Sequence, residues 1–269
     1  MQNIIHTQIH IGLEKPVRLM QITDVHLTCF AEDDPSEQKE LLPKRVETFH
    51  KDKAFPPRTT EEYFVRALDL AKELDALPIL TGDILDLPTR GNLDVFRRAI
   101  AGRDLMFTPG GHEHQRVFVR AMEEPNGHAE KARARLAREL PMFDLDLDSR
   151  VIGGVNIVTA DNALDYYNAR TARRFAEELE RGYPMIVFSH DPIHDPRLSS
   201  TEPYHPAVQL SAEDYRISGE MRRTILHDPR VITTFAGHWH RQQDEMVEGK
   251  MHYVTPGLFL GACRLIEIL

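Results

Sequence analysis

Short runs of apolar, β-favouring residues recur along the chain and predict the strands of a folded domain. The clearest runs are residues 17–23, 77–81, 105–108, 151–159, 185–189, 231–236 and 251–255. The start of the chain, MQNIIHTQIHIGL, alternates polar and apolar residues in the way that is typical of a strand. Strands are therefore expected along the whole length of the sequence.

Helical periodicity between these runs predicts helices. Thr59 and Glu62 have the spacing of a capping box and precede an amphipathic stretch. Residues 169–181 place apolar side chains on one helical face and end at Gly182, and residues 131–140 resemble a third helix. The first half alternates strand and helix, while the second half has more strands. This order favours two packed sheets with helices outside over an eight-fold barrel.

Two polar, proline-containing segments interrupt this pattern. Residues 27–58 and 191–220 are long for connections within one compact domain. Each directly follows a cluster of polar residues at a predicted strand end, so we expect both to be long loops that flank the functional site. We find no repeat, low-complexity tract or interdomain linker, and residues 1–269 are expected to form a single domain.

Composition narrows the class of protein. A chain of 269 residues that is 41% hydrophobic can bury a substantial core. The formal charge of −9 argues against a stable complex with nucleic acid. No apolar run approaches the roughly 20 residues of a membrane span, and the two cysteines, Cys29 and Cys263, are interpreted as reduced thiols. We therefore expect a cytoplasmic protein without membrane contact.

Five short polar clusters carry the candidate chemistry. They are Asp24-Val25-His26, Gly82-Asp83-Ile84-Leu85-Asp86, Gly110-Gly111-His112-Glu113, Ser189-His190 and Gly237-His238-Trp239-His240. Each cluster alone is typical of an ordinary turn, cap or surface histidine. Each follows a predicted strand, however, and strand ends in an α/β domain converge on one edge of a sheet. Carboxylate and imidazole donors without thiolates favour Mn, Fe, Zn or Co.

Local spacing suggests how these groups reach an ion. In an extended chain residues i and i+2 point to the same face, which would pair Asp24 with His26 and His238 with His240. Asp83 follows a glycine that permits a sharp turn, and its carboxylate could bridge two cations. Two cations about 3.5–4 Å apart would bind phosphate oxygens and lower the pKa of a bridging water.

The ordered pattern DxH, GDxxD, GxHE, SH and GHxH resembles the calcineurin-like metallophosphoesterase superfamily, over most of the chain from Asp24 to His240. The resemblance implies an α/β fold in which two mixed β-sheets pack face to face with helices outside, a four-layer αββα sandwich. It also implies a phosphohydrolase that cleaves a phosphodiester or phosphomonoester by attack of a metal-bridging hydroxide. Two divalent ions would be the cofactors, with Mn favoured.

The resemblance further implies a role for individual residues. Asp24, His26 and His240 would hold the first metal, Asp83 would bridge, and His190 and His238 would hold the second metal. His112 would be the catalytic histidine that contacts phosphate and acts as general acid. Asp86 and Glu113 are candidates for orienting the metal ligands through contacts with them, without touching the metal themselves.

One position departs from the family pattern. The third motif of the family is GNH followed by Asp or Glu, and its Asn gives an oxygen to the second metal, whereas this chain has Gly111. Asn and Gly both tolerate positive φ, so we expect Gly111 to keep the turn while removing the ligand. The second site is then expected to be weak, with water in place of the amide oxygen. Compensation by Glu113 or His114 is the less favoured alternative.

Two functions from different classes follow. The first is an enzyme acting on a small phosphorylated substrate, with nucleotides among the candidates. We favour a diester slightly, because no basic cluster for a dianionic phosphate lies near the motifs. The alternative is a catalytically weakened family member, altered at Gly111, that serves as a binding or scaffold protein. The sequence does not indicate an oligomeric state.

Overall fold

The computed structural model describes residues 3–49, 59–114, 128–193 and 210–269. Its strands are β1 Asn3–Ile9, β2 Val17–Ile22, β3 Leu77–Thr81, β4 Met106–Thr108, β5 Leu147–Ile152, β6 Val155–Ala160, β7 Met185–Phe188, β8 Val231–Ala236, β9 Gln243–Val247, β10 Lys250–Val254 and β11 Ala262–Ile268. Its helices are α1 Ser36–Phe49, α2 Thr60–Glu73, α3 Arg90–Ile100, α4 His128–Glu139, α5 Ala169–Glu180 and α6 Ala212–His227. Within the described ranges, no helix has the length and apolar character needed to cross a membrane.

The strands form two mixed sheets. The first has the order β1-β11-β2-β3-β4 and the second the order β5-β6-β7-β8-β10-β9. In the first sheet β2, β3 and β4 run parallel, and in the second β6, β7, β8 and β10 run parallel. Antiparallel neighbours, such as β11 beside β2, make both sheets mixed. Parallel pairing brings the carboxyl ends of successive strands to one edge of each sheet.

Three apolar cores alternate with the two sheets. The core between the sheets joins side chains such as Leu19 and Ile79 to Val155 and Phe188 of the opposite sheet. A second core packs the outer face of the first sheet against α2 and α3. A third packs the outer face of the second sheet against α5 and α6. The predicted four-layer αββα sandwich is therefore confirmed.

Strand β7 illustrates why its sequence is apolar throughout. Ile186 and Phe188 face the core between the sheets, whereas Met185 and Val187 face the helices. Successive side chains of a strand point to opposite faces. Because both faces are covered, every position must be apolar, and the run MIVF predicts such a strand well.

The prediction of one strand over residues 151–159 was wrong. The chain turns at Gly153 and Gly154, whose φ angles are 60° and 88°, so that β5 and β6 pair as an antiparallel hairpin. Two residues with positive φ between apolar runs are typical of a tight hairpin turn. The apolar residues on both sides of the glycines conceal this break from a simple search for apolar runs.

The two segments expected to be long loops contain helices. Residues 36–49 of the segment 27–58 form α1, and residues 212–220 of the segment 191–220 begin α6. Pro43 lies inside α1, where proline removes a backbone donor and is unfavourable, so the sequence argued against a helix there. Residues 50–58 and 194–209 lie outside the described residues.

Candidate metal centre

The predicted ligands lie at the carboxyl ends of parallel strands from both sheets. Asp24 and His26 follow β2, Asp83 follows β3, and His112 lies in a short 3-10 turn after β4. In the second sheet His190 follows β7, while His238 and His240 follow β8. The structure brings these groups into two neighbouring clusters, one formed by Asp24, His26 and His240 and the other by Asp83, His190 and His238.

Three donor atoms converge in the first cluster. Nε2 of His240 lies 3.1 Å from Oδ1 of Asp24 and 3.2 Å from Nε2 of His26, and the His26–Asp24 separation is 3.9 Å. Ligands bound to one cation at about 2.0–2.2 Å stand roughly 3–3.5 Å apart. The other Asp24 oxygen accepts hydrogen bonds from the Thr23 hydroxyl and the His238 N–H. Oδ1 is buried without a hydrogen-bond partner among the described residues, which suits it to bind a cation.

The second cluster has one histidine whose ring orientation is fixed. Nδ1 of His190 donates to the Thr81 carbonyl at 2.9 Å, which leaves Nε2 as the nitrogen that faces the cluster and can bind a cation once it has lost its proton. That Nε2 is buried, lies 3.2 Å from Oδ2 of Asp83 and has no hydrogen-bond partner in the described part of the chain. His238 completes the group, in which all three donor atoms lie within 4.8 Å of one another. Asp83 is grouped with this cluster alone, so its bridging role stays a prediction.

The expectation that the ligands lie on extended backbone was wrong. Asp24, His26, Asp83, His238 and His240 all have positive φ, between 50° and 66°. A left-handed conformation costs roughly 1–2 kcal/mol for a residue with a Cβ. Such strain persists only where the surroundings hold it, and it concentrates at functional sites. The side chains therefore converge because the backbone turns at each ligand, and not through the alternation of a strand.

His112 is held with a protonated ring nitrogen against Asp86. Its Nδ1 donates to the Asp86 carbonyl at 2.9 Å and lies 3.2 Å from the Asp86 carboxylate. Its Nε2 lies 3.9 Å from Asp83, towards the second cluster. Burial alone would lower the pKa of His112, but the charge of Asp83 and the contacts with Asp86 outweigh it and raise the pKa to about 9. The ring can therefore hold a proton beside the cluster.

The side chain of Glu113 supports the second cluster by binding backbone N–H groups next to it. Its buried carboxylate accepts hydrogen bonds from the N–H groups of Asp83, Leu85 and Gly110, at 2.9, 2.8 and 2.7 Å. A carboxylate that serves three amides fixes the two loops against each other. This arrangement favours the predicted supporting role of Glu113 over compensation as a ligand.

The sequence suggested a positive φ at Gly111. The structure does not show one, since Gly111 has no left-handed backbone conformation. Among the described residues, a Cβ added at this position would meet the Ala163 carbonyl oxygen at 3.3 Å, a tight contact that a small shift relieves. At the preceding Gly110 a Cβ would collide with the Asp83 carboxylate and backbone. Glycine is thus required sterically at 110, whereas position 111 can accept a Cβ after a shift of a few tenths of an ångström.

The sequence interpretation missed a polar cluster beside the second site. The Asn162 side chain accepts hydrogen bonds from the N–H groups of His190 and Asp191, at 3.1 and 3.0 Å. Asp191 lies 3.3 Å from Nδ1 of His238 and accepts a hydrogen bond from the N–H of Asp165 at 3.1 Å. Asp161-Asn162 directly follows β6, so a search for polar residues after every strand would have found it.

The groups around the second site hold protons strongly. Burial raises the pKa of Asp165 to about 8, of Glu113 to about 7 and of Asp191 to about 6. The pKa of His190 is raised well above its usual value, because the charge of Asp83 outweighs burial. The unfolded chain would lose these protons near pH 4 for carboxyl groups and 6.5 for histidine. Burial lowers the pKa of His26 to about 4, which opposes this trend below pH 6.5, so stability without metal should fall as pH rises from about 6.5 to 8.

We expect Mn²⁺ binding at pH 7 to release protons, because a cation competes for the same lone pairs. Titration calorimetry in two buffers of different ionisation enthalpy measures this release. The observed binding enthalpy should change with the buffer, and the change gives the number of protons. Binding enthalpies that are independent of the buffer would contradict the proton-holding cluster.

The fold of this chain is similar to that of solved structures, whereas comparison of its sequence finds no match. Neither a protein-family model nor a curated protein matches this chain. Among solved structures, a dimetal phosphatase from Danio rerio is similar with a TM-score of 0.51 at 13% identity, over 90% of this chain and 88% of that protein. A candidate 5′-nucleotidase from Staphylococcus aureus is similar with a TM-score of 0.50 at 12% identity, over 91% of this chain. The chain spans about half, 49%, of the length of that second protein.

The sheet order, the layers and the likeness to these two structures lead to one conclusion about the fold. At 12–13% identity the likeness concerns the fold alone. The resemblance drawn from the sequence motifs is confirmed at this level: the chain has the fold of the calcineurin-like metallophosphoesterases.

Proposed function

We propose that this protein is a metal-dependent phosphohydrolase with two cation sites. The observation that carries the proposal is the pair of neighbouring clusters at the strand ends, in each of which three carboxylate and imidazole donor atoms lie within 4.8 Å of one another. Buried carboxylate and imidazole groups are stable in such an arrangement when a cation compensates them. The similar fold of a dimetal phosphatase supports the proposal.

Asp24, His26 and His240 would hold the first ion, and Asp83, His190 and His238 the second, with Asp83 also the candidate bridge. Their oxygen and nitrogen donors suit Mn, Fe, Zn or Co, and we favour Mn. Divalent ions supply Lewis-acid polarisation of phosphoryl oxygens and lower the pKa of water at neutral pH. The left-handed turns and the Glu113 hydrogen bonds fix these donors before any substrate arrives.

His112 would act as general acid. Its Nδ1 is committed to Asp86, so Nε2 is the nitrogen that can transfer a proton to the leaving oxygen. A raised pKa, about 9 without metal, keeps the ring protonated, and nearby cations would lower that value towards neutral pH. Asp86 keeps the ring in the tautomer and orientation that this role needs.

A small phosphorylated molecule is the proposed substrate class. The similar structures include proteins named as a phosphatase and a candidate 5′-nucleotidase, which supports a nucleotide among the candidates. We retain the slight preference for a diester over a monoester. The guanidinium of Arg45 binds the Asp86 carboxylate, which also contacts His112.

Hydrolysis of bis-p-nitrophenyl phosphate and p-nitrophenyl phosphate with added Mn²⁺ tests the proposal. We expect release of p-nitrophenol that stops with excess chelator and returns when Mn²⁺ is restored. The preferred ester would narrow the substrate class. Two Mn²⁺ ions bound per chain without hydrolysis of either ester or of a nucleotide would contradict an enzymatic role and favour the scaffold alternative.

Restoring asparagine at position 111 is expected to strengthen the second site. Gly111→Asn adds one oxygen donor where a Cβ meets only the Ala163 carbonyl, and we expect Mn²⁺ affinity at the weaker site to rise about tenfold, or ~1.4 kcal/mol. Gly111→Ala is the matched control, because it adds the Cβ without the amide. Equal affinities in both variants and the unsubstituted protein would show that the glycine does not weaken the site.

A further inference from the structure

Helix α1 reaches the site through two side chains one turn apart, Arg45 and Phe49. Residues separated by four positions lie on the same face of a helix. Nε and Nη2 of Arg45 donate to the two Asp86 carboxylate oxygens at 2.9 and 2.6 Å, which is a bidentate ion pair. This contact was not predicted, because Arg45 lies in a segment of mixed charges that is typical of a solvated loop.

Asp86 connects this ion pair to both functional histidines. Its Oδ1 lies 3.4 Å from Nδ1 of His26 and 3.2 Å from Nδ1 of His112, and its side chain is only 4% exposed. A buried carboxylate is costly unless it is paired. Arg45 supplies that pairing and limits the carboxylate to one orientation, so the positions of both imidazoles depend on it.

Phe49 fixes the ring of His26 from its face. The two rings are stacked with centroids 4.0 Å apart and an interplanar angle of 6°. The Arg45 guanidinium lies over Phe49 at 4.5 Å, and Phe259 packs edge-on against Phe49 at 5.0 Å. Aromatic stacking of this kind stabilises a pair of rings beyond the effect of burial alone. Phe49 thus determines the plane of the His26 ring, and Asp86 determines the direction in which Nδ1 of that ring points.

We infer that Arg45 and Phe49 are positioning residues of the candidate metal centre, which makes helix α1 an integral part of it. Arg45 fixes Asp86, which orients His112 for proton transfer and His26 for the first cation, while Phe49 fixes the plane of His26. The inference rests on the proposed function for the role of His112. Its consequence for cation binding at Asp24, His26 and His240 does not require hydrolysis.

Arg45→Gln removes the bidentate pair, and Lys44→Gln is the matched control on an exposed position of the same helix. We expect Arg45→Gln to lower both Mn²⁺ affinity and kcat about tenfold, the lower end of the effect of partners that orient metal ligands. KM should change little, and Lys44→Gln should match the unsubstituted protein.

Arg45→Lys should recover only part of the loss, since an ammonium group cannot form the planar fork. Phe49→Leu should lower Mn²⁺ affinity, because the face of the His26 ring is then no longer held by a stacked ring.

Mn²⁺ affinity is measured by electron paramagnetic resonance of the unbound ion, and kcat and KM are measured with bis-p-nitrophenyl phosphate. A double-mutant cycle with Asp86→Asn tests whether Arg45 acts through Asp86, because the effect of Arg45→Gln should largely disappear in that background.

Additive effects, or equal behaviour of Arg45→Gln and Lys44→Gln, would overturn the inference. Weakened Mn²⁺ binding in Arg45→Gln, combined with no hydrolysis by the unsubstituted protein, would uphold the inference and refute the proposed function. Robust hydrolysis that is insensitive to Arg45→Gln would do the reverse.

Discussion

Replacing Asp83 with asparagine is expected to abolish hydrolysis and to reduce bound Mn²⁺ from two ions per chain to one or none. The Asp83 carboxylate lies 3.2 Å from Nε2 of His190 and accepts the N–H of His112 at 2.9 Å. An amide removes the negative charge and points its NH₂ group at donors or at the cation. We expect kcat to fall about 10³-fold or more, since metal ions contribute several kcal/mol and each ~1.4 kcal/mol is tenfold in rate.

The measurement combines metal analysis with the rate on bis-p-nitrophenyl phosphate. Asp104→Asn provides a matched control, because that carboxylate is 80% exposed and pairs with Arg150 on the surface, where an ion pair contributes little. The control should keep both ions and the full rate. An Asp83→Asn protein that binds two ions and hydrolyses the ester normally would remove Asp83 from the centre.

Replacing Gly237 with alanine is expected to damage the first site and to destabilise the fold together. A Cβ at Gly237 would fall on the Thr23 hydroxyl and the Asp24 carboxylate, both at the end of β2 in the opposite sheet. Overpacking of this kind costs typically about 1–3 kcal/mol, which lowers Tm by about 2–4 °C for each kcal/mol. Mn²⁺ affinity should fall at least tenfold, because Asp24 must move from His240.

Thermal unfolding and Mn²⁺ titration of the same samples provide the test. Gly111→Ala serves as the comparison, since it adds the same methyl group where only the Ala163 carbonyl is near. It should change Tm and Mn²⁺ affinity little. Equal losses in both variants would mean that the close approach of β8 to β2 does not determine the site.

The positions of the ligands could be predicted from sequence because they depend on a topological rule. Strand runs such as Leu77–Thr81 and Val231–Ala236 match the structure, and a polar residue after such a run falls at the sheet edge. The geometry at each ligand could not be predicted. Asp24 and His26 were expected on extended backbone, but they occupy left-handed conformations that the contacts around them maintain. Pairwise spacing contains no information about those contacts.

The supporting residues were harder to predict than the ligands. Arg45 and Phe49 lie on a helix that was not predicted, because its sequence contains Pro43 and mixed charges. Asn162 and Asp191 act through hydrogen bonds between segments 28 or 29 residues apart. Such residues are selected by their tertiary partners, and no local pattern marks them. The candidate donors were therefore predictable from the sequence, whereas much of what holds them in place was not.

The separation of the ligands along the chain has a consequence for folding. His26 and His240 face each other at 3.2 Å although they are 214 positions apart in the sequence. Closing such long loops costs entropy, and contacts between distant segments form slowly. One ligand follows the second strand of the chain and the other follows the eighth, in different sheets. The donors of the candidate first site can therefore meet only after both sheets have formed and packed, so cation binding there, if measured, would report a completed fold rather than any partly folded intermediate.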